Sequence, residues 1–172
     1  MHDLGSVSDL ASLVVAMSAL FFSVASFRAQ QRRAEIHSRA AVRPILSIKS
    51  QRYIDLKSIQ LLNNGIGPAI IRKAEFWRDE SDKLSNQLVS LFSLDIVWES
   101  FVNIPKGRAI PAQDKVVLVK ESLTHLQGQG YSQEQGLGIL ENWQRQKSGI
   151  RVRIEYEDIF GNEQPALEET LN

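Results

Sequence analysis

The chain has 172 residues with 20 basic and 20 acidic side chains, so its formal net charge at pH 7 is zero. It contains no cysteine, which excludes a disulfide framework and a thiolate metal site. From residue 44 onward it carries 15 basic and 17 acidic side chains, a balance that argues against a nucleic-acid surface, where Lys and Arg cluster. We therefore expect no nucleic-acid polymer as a partner, and no cofactor or metal.

Residues 10–27 form an uncharged, mostly apolar run. At about 1.5 Å per residue, a helix of this length covers roughly 27 Å, enough for the hydrocarbon core of a bilayer. A cleaved signal peptide would begin with a basic segment, whereas this chain has Asp3 and Asp9 there. A buried core helix would show a polar stripe, but the only polar residues here are serines. The sequence predicts a transmembrane helix over 10–27 after a short extracytoplasmic tail, 1–9.

A basic segment follows the span. Its arginines, here called the basic collar, are Arg28, Arg32, Arg33 and Arg39. Because positive residues that flank a span stay on the cytoplasmic side, we expect a single-pass protein of the bacterial inner membrane with its N-terminus outside and residues 44–172 in the cytoplasm. The collar could also bind anionic lipid headgroups, although the topology signal alone explains it. Without Gly or Pro before Pro44, residues 28–43 are predicted to continue the helix.

Small residues recur along the span at spacings of four, three, four and three. This small-residue seam consists of Ser12, Ala16, Ala19, Ser23 and Ser26. Such a seam lets membrane helices approach closely, and it predicts a homo-oligomer. The alternative is that Ala and Ser are simply common in membrane helices.

Residues 44–172 are enough for one domain, and their pattern is mainly that of β-strands. Apolar and charged side chains alternate over 149–157, the period of a half-buried strand. Further strands are predicted at 45–51, 58–63, 69–78, 92–103, 115–121 and 166–171. Short strands at this spacing predict an antiparallel sandwich. One helix interrupts them at about 133–147, where Ser132 and Gln135 form a capping-box pattern.

Turn residues separate several of these strands. They are Asn63, Gly65, Gly67, Pro68, Asp158 and Gly161. A phosphate loop is an alternative for residues 65–68, but phosphate loops open a helix, and residues 69–73 are β-like. We therefore interpret 63–68 as a structural turn in which Asn63 bonds its own backbone, and we expect Asp158 to organise the turn that leads to Gly161.

Two segments carry a resemblance. Residues 63–69, Asn-Asn-Gly-Ile-Gly-Pro-Ala, and residues 156–161, Tyr-Glu-Asp-Ile-Phe-Gly, resemble the N-x-G-x-G-P-A and Y-x-D-x-F-G elements of uncharacterised bacterial single-pass inner-membrane proteins. The resemblance implies a cytoplasmic immunoglobulin-like β-sandwich, to which the helix at 133–147 would be an insertion. That group has no agreed activity, so the resemblance implies a fold without a function.

Catalytic patterns are weak. The histidines His2, His37 and His125 are not paired by spacing, with His125 expected in a loop, and no nucleophile motif is present. Glu155 and Glu157 share a strand face, where a divalent cation or an acid–base pair is conceivable. Arg151 and Arg153 lie on the same face, however, and a salt-bridged surface explains all four. A second acidic cluster stands at 79–82. We expect a protein that is not an enzyme.

Two functions fit these features. The first is a non-enzymatic, membrane-anchored binding or scaffolding module for an unknown cytoplasmic protein, which predicts an exposed sheet edge or apolar patch. The alternative is an oligomeric, ligand-responsive membrane effector of the nucleotide-sensing, antiviral-defence type. In that case a small-molecule ligand would contact basic groups, for which the candidates are Arg72, Lys73, Arg151 and Arg153.

Overall fold

The computed structural model describes residues 4–78 and 84–172, and within 4–11 and 33–41 it describes the backbone alone. The acidic cluster at 79–82 therefore lies outside the described residues. The chain divides into two compact units, Met1–Ala41 and Val42–Asn172, and each is described by itself.

The first unit is helix α1, Leu4–Ala41. Its segment Ser12–Arg32 is long and apolar enough to cross a membrane, and none of its most apolar stretch is buried inside the protein. The prediction of one N-terminal apolar helix of membrane-spanning length is thus confirmed. The helix begins six residues before the predicted span and continues without a break through the basic collar. It ends shortly before Pro44, since a proline disfavours helical geometry in the residue that precedes it.

The second unit contains eight strands and three short helices among its described residues. The strands are β1 Leu46–Arg52, β2 Leu56–Asn63, β3 Ala69–Trp77, β4 Ser100–Phe101, β5 Ala109–Ile110, β6 Lys115–Ser122, β7 Arg151–Glu157 and β8 Leu167–Thr170. The helices are a 3₁₀ turn at Leu88–Leu91, α2 Leu123–Gly128 and α3 Gln133–Lys147.

The strands form two antiparallel sheets. Sheet 1 has the order β1-β2-β6-β4, and sheet 2 has the order β5-β3-β7-β8. Side chains of both sheets contribute to one hydrophobic cluster, for example Ile59 and Val119 from sheet 1 and Ile71 and Ile154 from sheet 2. The prediction of an apolar helix followed by a domain of antiparallel strands is confirmed at this level.

Strand β7 shows why the alternating pattern was informative. Val152 and Ile154 are buried while Arg151 and Arg153 are exposed, because successive side chains of a strand point to opposite faces. β7 pairs with β3 through a register shift between Ile71 and Lys73. Such a bulge places an extra residue on one strand, and here it leaves Arg72 and Lys73 both exposed.

The strand predicted at 92–103 is wrong. Only Ser100 and Phe101 pair with β6, and the preceding residues run irregularly from the 3₁₀ turn. Phe92 stacks on Trp143 of α3 with ring centroids 5.3 Å apart and planes 9° from parallel. Because aromatic packing against a distant helix outweighs local strand preference here, this apolar segment lies against α3 instead of extending sheet 1.

Helix α3 begins with the capping box that the sequence indicated. The Ser132 hydroxyl accepts from the Gln135 amide, and the Gln135 side chain accepts from the Ser132 amide. These bonds satisfy two amide donors that a helix start leaves without partners. The buried face of α3 includes Leu140, Trp143 and Lys147, so the helix buries a lysine together with its apolar stripe.

Candidate functional site

The four basic candidates all lie on the outward face of sheet 2. In the β3–β7 register Lys73 is opposite Glu155, and Arg153 is opposite Glu75. Arg72 and Arg153 line one cleft of about 270 Å³, whereas Arg151 lines a neighbouring cleft of similar size. The structure therefore brings Arg72 and Arg153 together in one concavity.

Glutamates accompany these cations. Arg72 pairs with Glu163 and lies 3.7 Å from Glu157, and the hydrogen bond that Arg72 donates to Glu163 raises the pKa of Arg72. Further ion pairs on the same face join Lys73 with Glu75 at 2.8 Å, Arg153 with Glu155 at 3.2 Å, and Arg153 with Glu168 at 3.5 Å. An anionic ligand would have to compete with these carboxylates, so the geometry favours a salt-bridged strand surface.

A second polar cluster, which sequence reasoning missed, lies where β6 runs into α2. Glu121 is completely buried. Its carboxylate accepts hydrogen bonds from the amides of Glu99 at 3.0 Å and Ser122 at 3.2 Å, and its Oε1 lies 2.8 Å from Nδ1 of His125. His125 is on α2, so its expected position in a loop is wrong. Ser122 caps the start of α2, because its hydroxyl accepts a hydrogen bond from the amide of His125.

Glu99, Glu121 and His125 offer three donor atoms within 4.8 Å of one another. One His and two carboxylates form a ligand set that suits a divalent cation. Oε2 of Glu99 is buried without a partner among the described residues, whereas its other oxygen pairs with Lys120. Burial opposes ionisation of Glu99, but hydrogen bonds from Lys120 and Ser122 outweigh it and hold its pKa below the usual range. Lys120 thus offsets one of the two carboxylate charges of the cluster.

Lys147 is a third polar feature, and it too was not singled out from the sequence. Its side chain is completely buried, and Nζ donates to Oγ of Ser50 at 3.1 Å and to the main-chain oxygen of Asn172. Burial, together with the positive charges of Arg52 and Lys57, lowers the pKa of Lys147 to about 8. A buried lysine with a depressed pKa is a frequent mark of a functional position. Its spacing from Leu140 and Trp143 on one helix face was the signal that could have revealed it.

Asn63 holds the first predicted turn together. It is 1% exposed. Its Oδ1 accepts from the amides of Ile45 at 3.2 Å and Gly65 at 3.0 Å, and its Nδ2 donates to three carbonyls, those of Gly67, Ile110 and Pro111, at 2.8 to 3.1 Å. One side chain thus joins three stretches of backbone.

The glycines of this turn permit close contact with the backbone. A Cβ on Gly65 would lie 2.4 Å from the carbonyl oxygen of Arg43, and one on Gly67 only 1.7 Å from that of Val42. Pro68 immediately precedes β3, where its missing amide removes no ladder bond. No helix follows the turn, as a phosphate loop would require.

Asp158 shapes the second turn. It is 3% exposed, and its Oδ1 accepts from the amides of Phe160 at 2.8 Å and Asn162 at 3.0 Å. Gly161 has φ of 78°, a left-handed conformation that glycine adopts without strain. Both residues therefore serve the connection between β7 and β8.

The small-residue seam and part of the basic collar lie on α1. The seam residues are all exposed in the single chain, as are Arg28 and Arg32, whereas the side chains of Arg33 and Arg39 lie outside the described residues. Ser18 donates to the carbonyl of Val14 at 2.8 Å, which satisfies its hydroxyl inside the helix.

Comparisons with known proteins identify no relative: no protein-family model matches the chain, and neither a curated protein nor a solved structure matches it.

Proposed function

We propose that this protein is a non-enzymatic, membrane-anchored binding or scaffolding module. The observation that carries the proposal is a helix of membrane-spanning length, none of whose most apolar stretch is buried, followed in the chain by a separate β-rich unit. The charge bias of the basic collar supports an N-terminus outside a bacterial inner membrane and a cytoplasmic β unit. We also propose an immunoglobulin-like sandwich, which the two strand orders and the shared core support, with α2 and α3 inserted between β6 and β7.

A free sheet edge supports the binding role. Sheet 1 ends at the two-residue strand β4, where Phe101 is 51% exposed, and Val97 just before it is 71% exposed. Exposed apolar side chains beside an unpaired strand edge are typical of protein-interaction surfaces. This is the type of surface that the binding-module hypothesis predicts.

Site-specific photocross-linking tests the proposal. p-Benzoylphenylalanine placed at position 97 or 101 is expected to give the same cross-linked species in cells, and the exposed position 49 on β1 serves as the control. The species should disappear with Leu20→Arg, since an arginine at the centre of a span costs about 2.5–3.5 kcal/mol of insertion. Cross-linking that is equal at all three positions, or absent at 97 and 101, would contradict the binding role.

The orientation has its own test because the chain lacks cysteine and gives no labelling background. Ser6→Cys should react with a membrane-impermeant maleimide in intact spheroplasts, and Ser90→Cys only after lysis. The reverse pattern would place the β unit outside.

An oligomeric ligand-responsive effector is the second candidate. The observation that favours it is the unbroken helix from the span through the collar, with the seam residues exposed along it. The homo-oligomer and its small-molecule ligand remain predictions, and the ion pairs on sheet 2 reduce the case for Arg72, Lys73, Arg151 and Arg153 as an anion site.

A further inference from the structure

Residues 167–172 lie along the free edge of sheet 2. β8 pairs with β7 from Leu167 opposite Ile154 to Thr170 opposite Arg151, and none of the described strands lies on its other side. The ladder continues past the strand: the Leu171 amide donates to the carbonyl of Ile150 at 2.8 Å, and the Gly149 amide donates to that of Leu171 at 2.9 Å. Main-chain bonds of this kind accept almost any side-chain sequence.

One side chain anchors this segment. Leu171 is 3% exposed and belongs to the hydrophobic core, whereas Glu168, Glu169 and Thr170 are exposed. Leu171 is thus the buried anchor of the segment, and Leu167 is partly buried against the same core.

Two cationic groups hold the end of the segment. The main-chain oxygen of Asn172 accepts from Nζ of Lys147 and from Nη2 of Arg52. Beside it lies a cleft of about 300 Å³, lined in part by Ser50, Arg52 and Leu171. Arg52 and Lys57, both positive, help to lower the pKa of Lys147, and Glu169 also lines the cleft. Since a buried ammonium is costly unless a negative group compensates it, an oxyanion would fit here better than a neutral oxygen.

Most of strand β8 lies at the surface. Four residues pair with β7, and three of them are exposed. Its covalent connection supplies an effective concentration on the order of mM. A separate peptide with the same contacts therefore competes only when the resident segment is loosened or the peptide binds more tightly.

We propose that the edge of β7, the pocket of Leu171 and the Lys147–Arg52 pair form a peptide-binding groove that residues 167–172 occupy in the same chain. The partner is an extended segment of another protein, in which a leucine is followed by a residue that carries an oxyanion. It adds a strand to sheet 2 after displacing β8. This inference rests on the proposed function as a binding module and names the surface that would recognise the partner.

The experiment uses the whole chain in detergent micelles and a fluorescent peptide of residues 165–172 with a free carboxylate. Leu171→Ala in the protein removes the resident anchor while the groove stays intact. We expect this variant to bind the peptide at least tenfold more tightly than the wild-type chain. Glu168→Ala, an exposed position of the same strand, is the matched control and should bind as the wild type does.

Three further arms test recognition. The peptide with Leu171→Ala should lose binding, and the peptide with a carboxamide end should bind about tenfold more weakly than the carboxylate. Lys147→Met in the Leu171→Ala protein should remove that preference for the carboxylate. Equal binding of carboxylate and carboxamide would overturn the recognition of an oxyanion.

Hydrogen exchange keeps the test decisive if Leu171→Ala does not fold. With excess peptide, the amides of residues 167–171 in the wild-type chain should exchange faster, because their segment has been displaced. The groove proposal is overturned if the peptide neither binds nor speeds hydrogen exchange of residues 167–171. It is also overturned if the segment is displaced only by the same segment of another copy in an oligomer. Cross-links at positions 97 and 101 would survive that result, so failure of the groove is distinguishable from failure of the binding role.

Discussion

Asn63 makes five hydrogen bonds from one buried side chain and joins the start of β1, the turn after β2 and the end of β5. All five partners are main-chain groups, and all five bonds are buried or half-buried, where such groups are seldom left without a partner. At the scale of single residues, the stability of this end of the β unit depends more on one amide side chain than on the surface ion pairs, which typically contribute under about 1 kcal/mol each.

Asn63→Ala tests that dependence. We expect the free energy of unfolding in urea to fall by about 3 kcal/mol, since several buried main-chain groups lose their partner. Asn64→Ala is the control, because Asn64 is exposed and its side chain bonds only Ser47 Oγ, at 2.7 Å, among the contacts described; it should stay within about 0.5 kcal/mol. Equal effects of the two substitutions would show that the turn does not depend on Asn63.

Lys147 predicts a pH effect. Its pKa is about 8 in the folded chain, against 10.5 for an ordinary lysine. Between these values the unfolded chain binds more protons, so stability rises with pH. The cost of burying the charge is fully present below pH 8 and is relieved as the pH approaches 10.5.

Relative to Lys147→Met, the wild-type chain should therefore gain on the order of 1 kcal/mol between pH 8 and 10. Arg52, Lys57 and Glu169 are the charged groups around this position, and they are unchanged in the variant. Lys49→Met, at an exposed position of β1, should show no difference in slope from the wild type. If the stability of the wild-type chain instead declines with pH relative to Lys147→Met, the lowered pKa of Lys147 is refuted.

At the scale of elements, the sequence patterns predicted those strands and helices that are determined by interactions between residues close together in the chain. β7 followed from strict alternation, and α3 from its capping box. The segment 92–103 could not be predicted as irregular, because the reason lies in the stack of Phe92 on Trp143, about fifty residues later in the chain. Helix α2 is too short to show a period, so the contact of His125 with Glu121, which lies four residues earlier at the end of β6, was not predicted. The glycines at 65 and 67 were assigned to a turn, but the close backbone contact that requires them is tertiary.

Two glycines provide a matched element-scale prediction. Gly67→Ala should strongly destabilise the β unit, because its Cβ would lie 1.7 Å from a main-chain oxygen that cannot move alone. Gly138→Ala, within α3 and with open space around the added Cβ, should stabilise it by about 0.5–1 kcal/mol, since alanine is the better helix former. Urea midpoints of both variants give the comparison, and a tolerated Gly67→Ala would contradict the described packing.

At the scale of the whole molecule, two units with different surfaces share one chain. The helix exposes apolar side chains such as Phe21 and Leu20, and the β unit buries its own core. Helix length and apolarity were predictable from composition alone. The number of copies in an oligomer was not predictable. A seam of small residues sets how closely two helices can approach, but it does not determine whether a second helix is present.

The seam prediction is tested by mass. If the seam mediates association, the wild-type chain in detergent should be an oligomer by light scattering, and Ala16→Leu with Ala19→Leu should reduce it toward a monomer, because larger side chains separate the helices. Ala25→Leu, the same enlargement at a position outside the seam, should leave the mass unchanged. A monomeric wild-type chain would remove the mechanism of the effector hypothesis.

Because Trp143 stacks on Phe92, its intrinsic fluorescence reports on the packing of this part of the β unit. An indole that is completely buried emits at shorter wavelength than one in water. Release of residues 92–98 from α3 would therefore appear as a red shift of the intrinsic emission, without any added dye. A partner that contacts Val97 and Phe101 would act on this same segment. Its binding could therefore be followed in the unmodified chain by the wavelength of tryptophan emission.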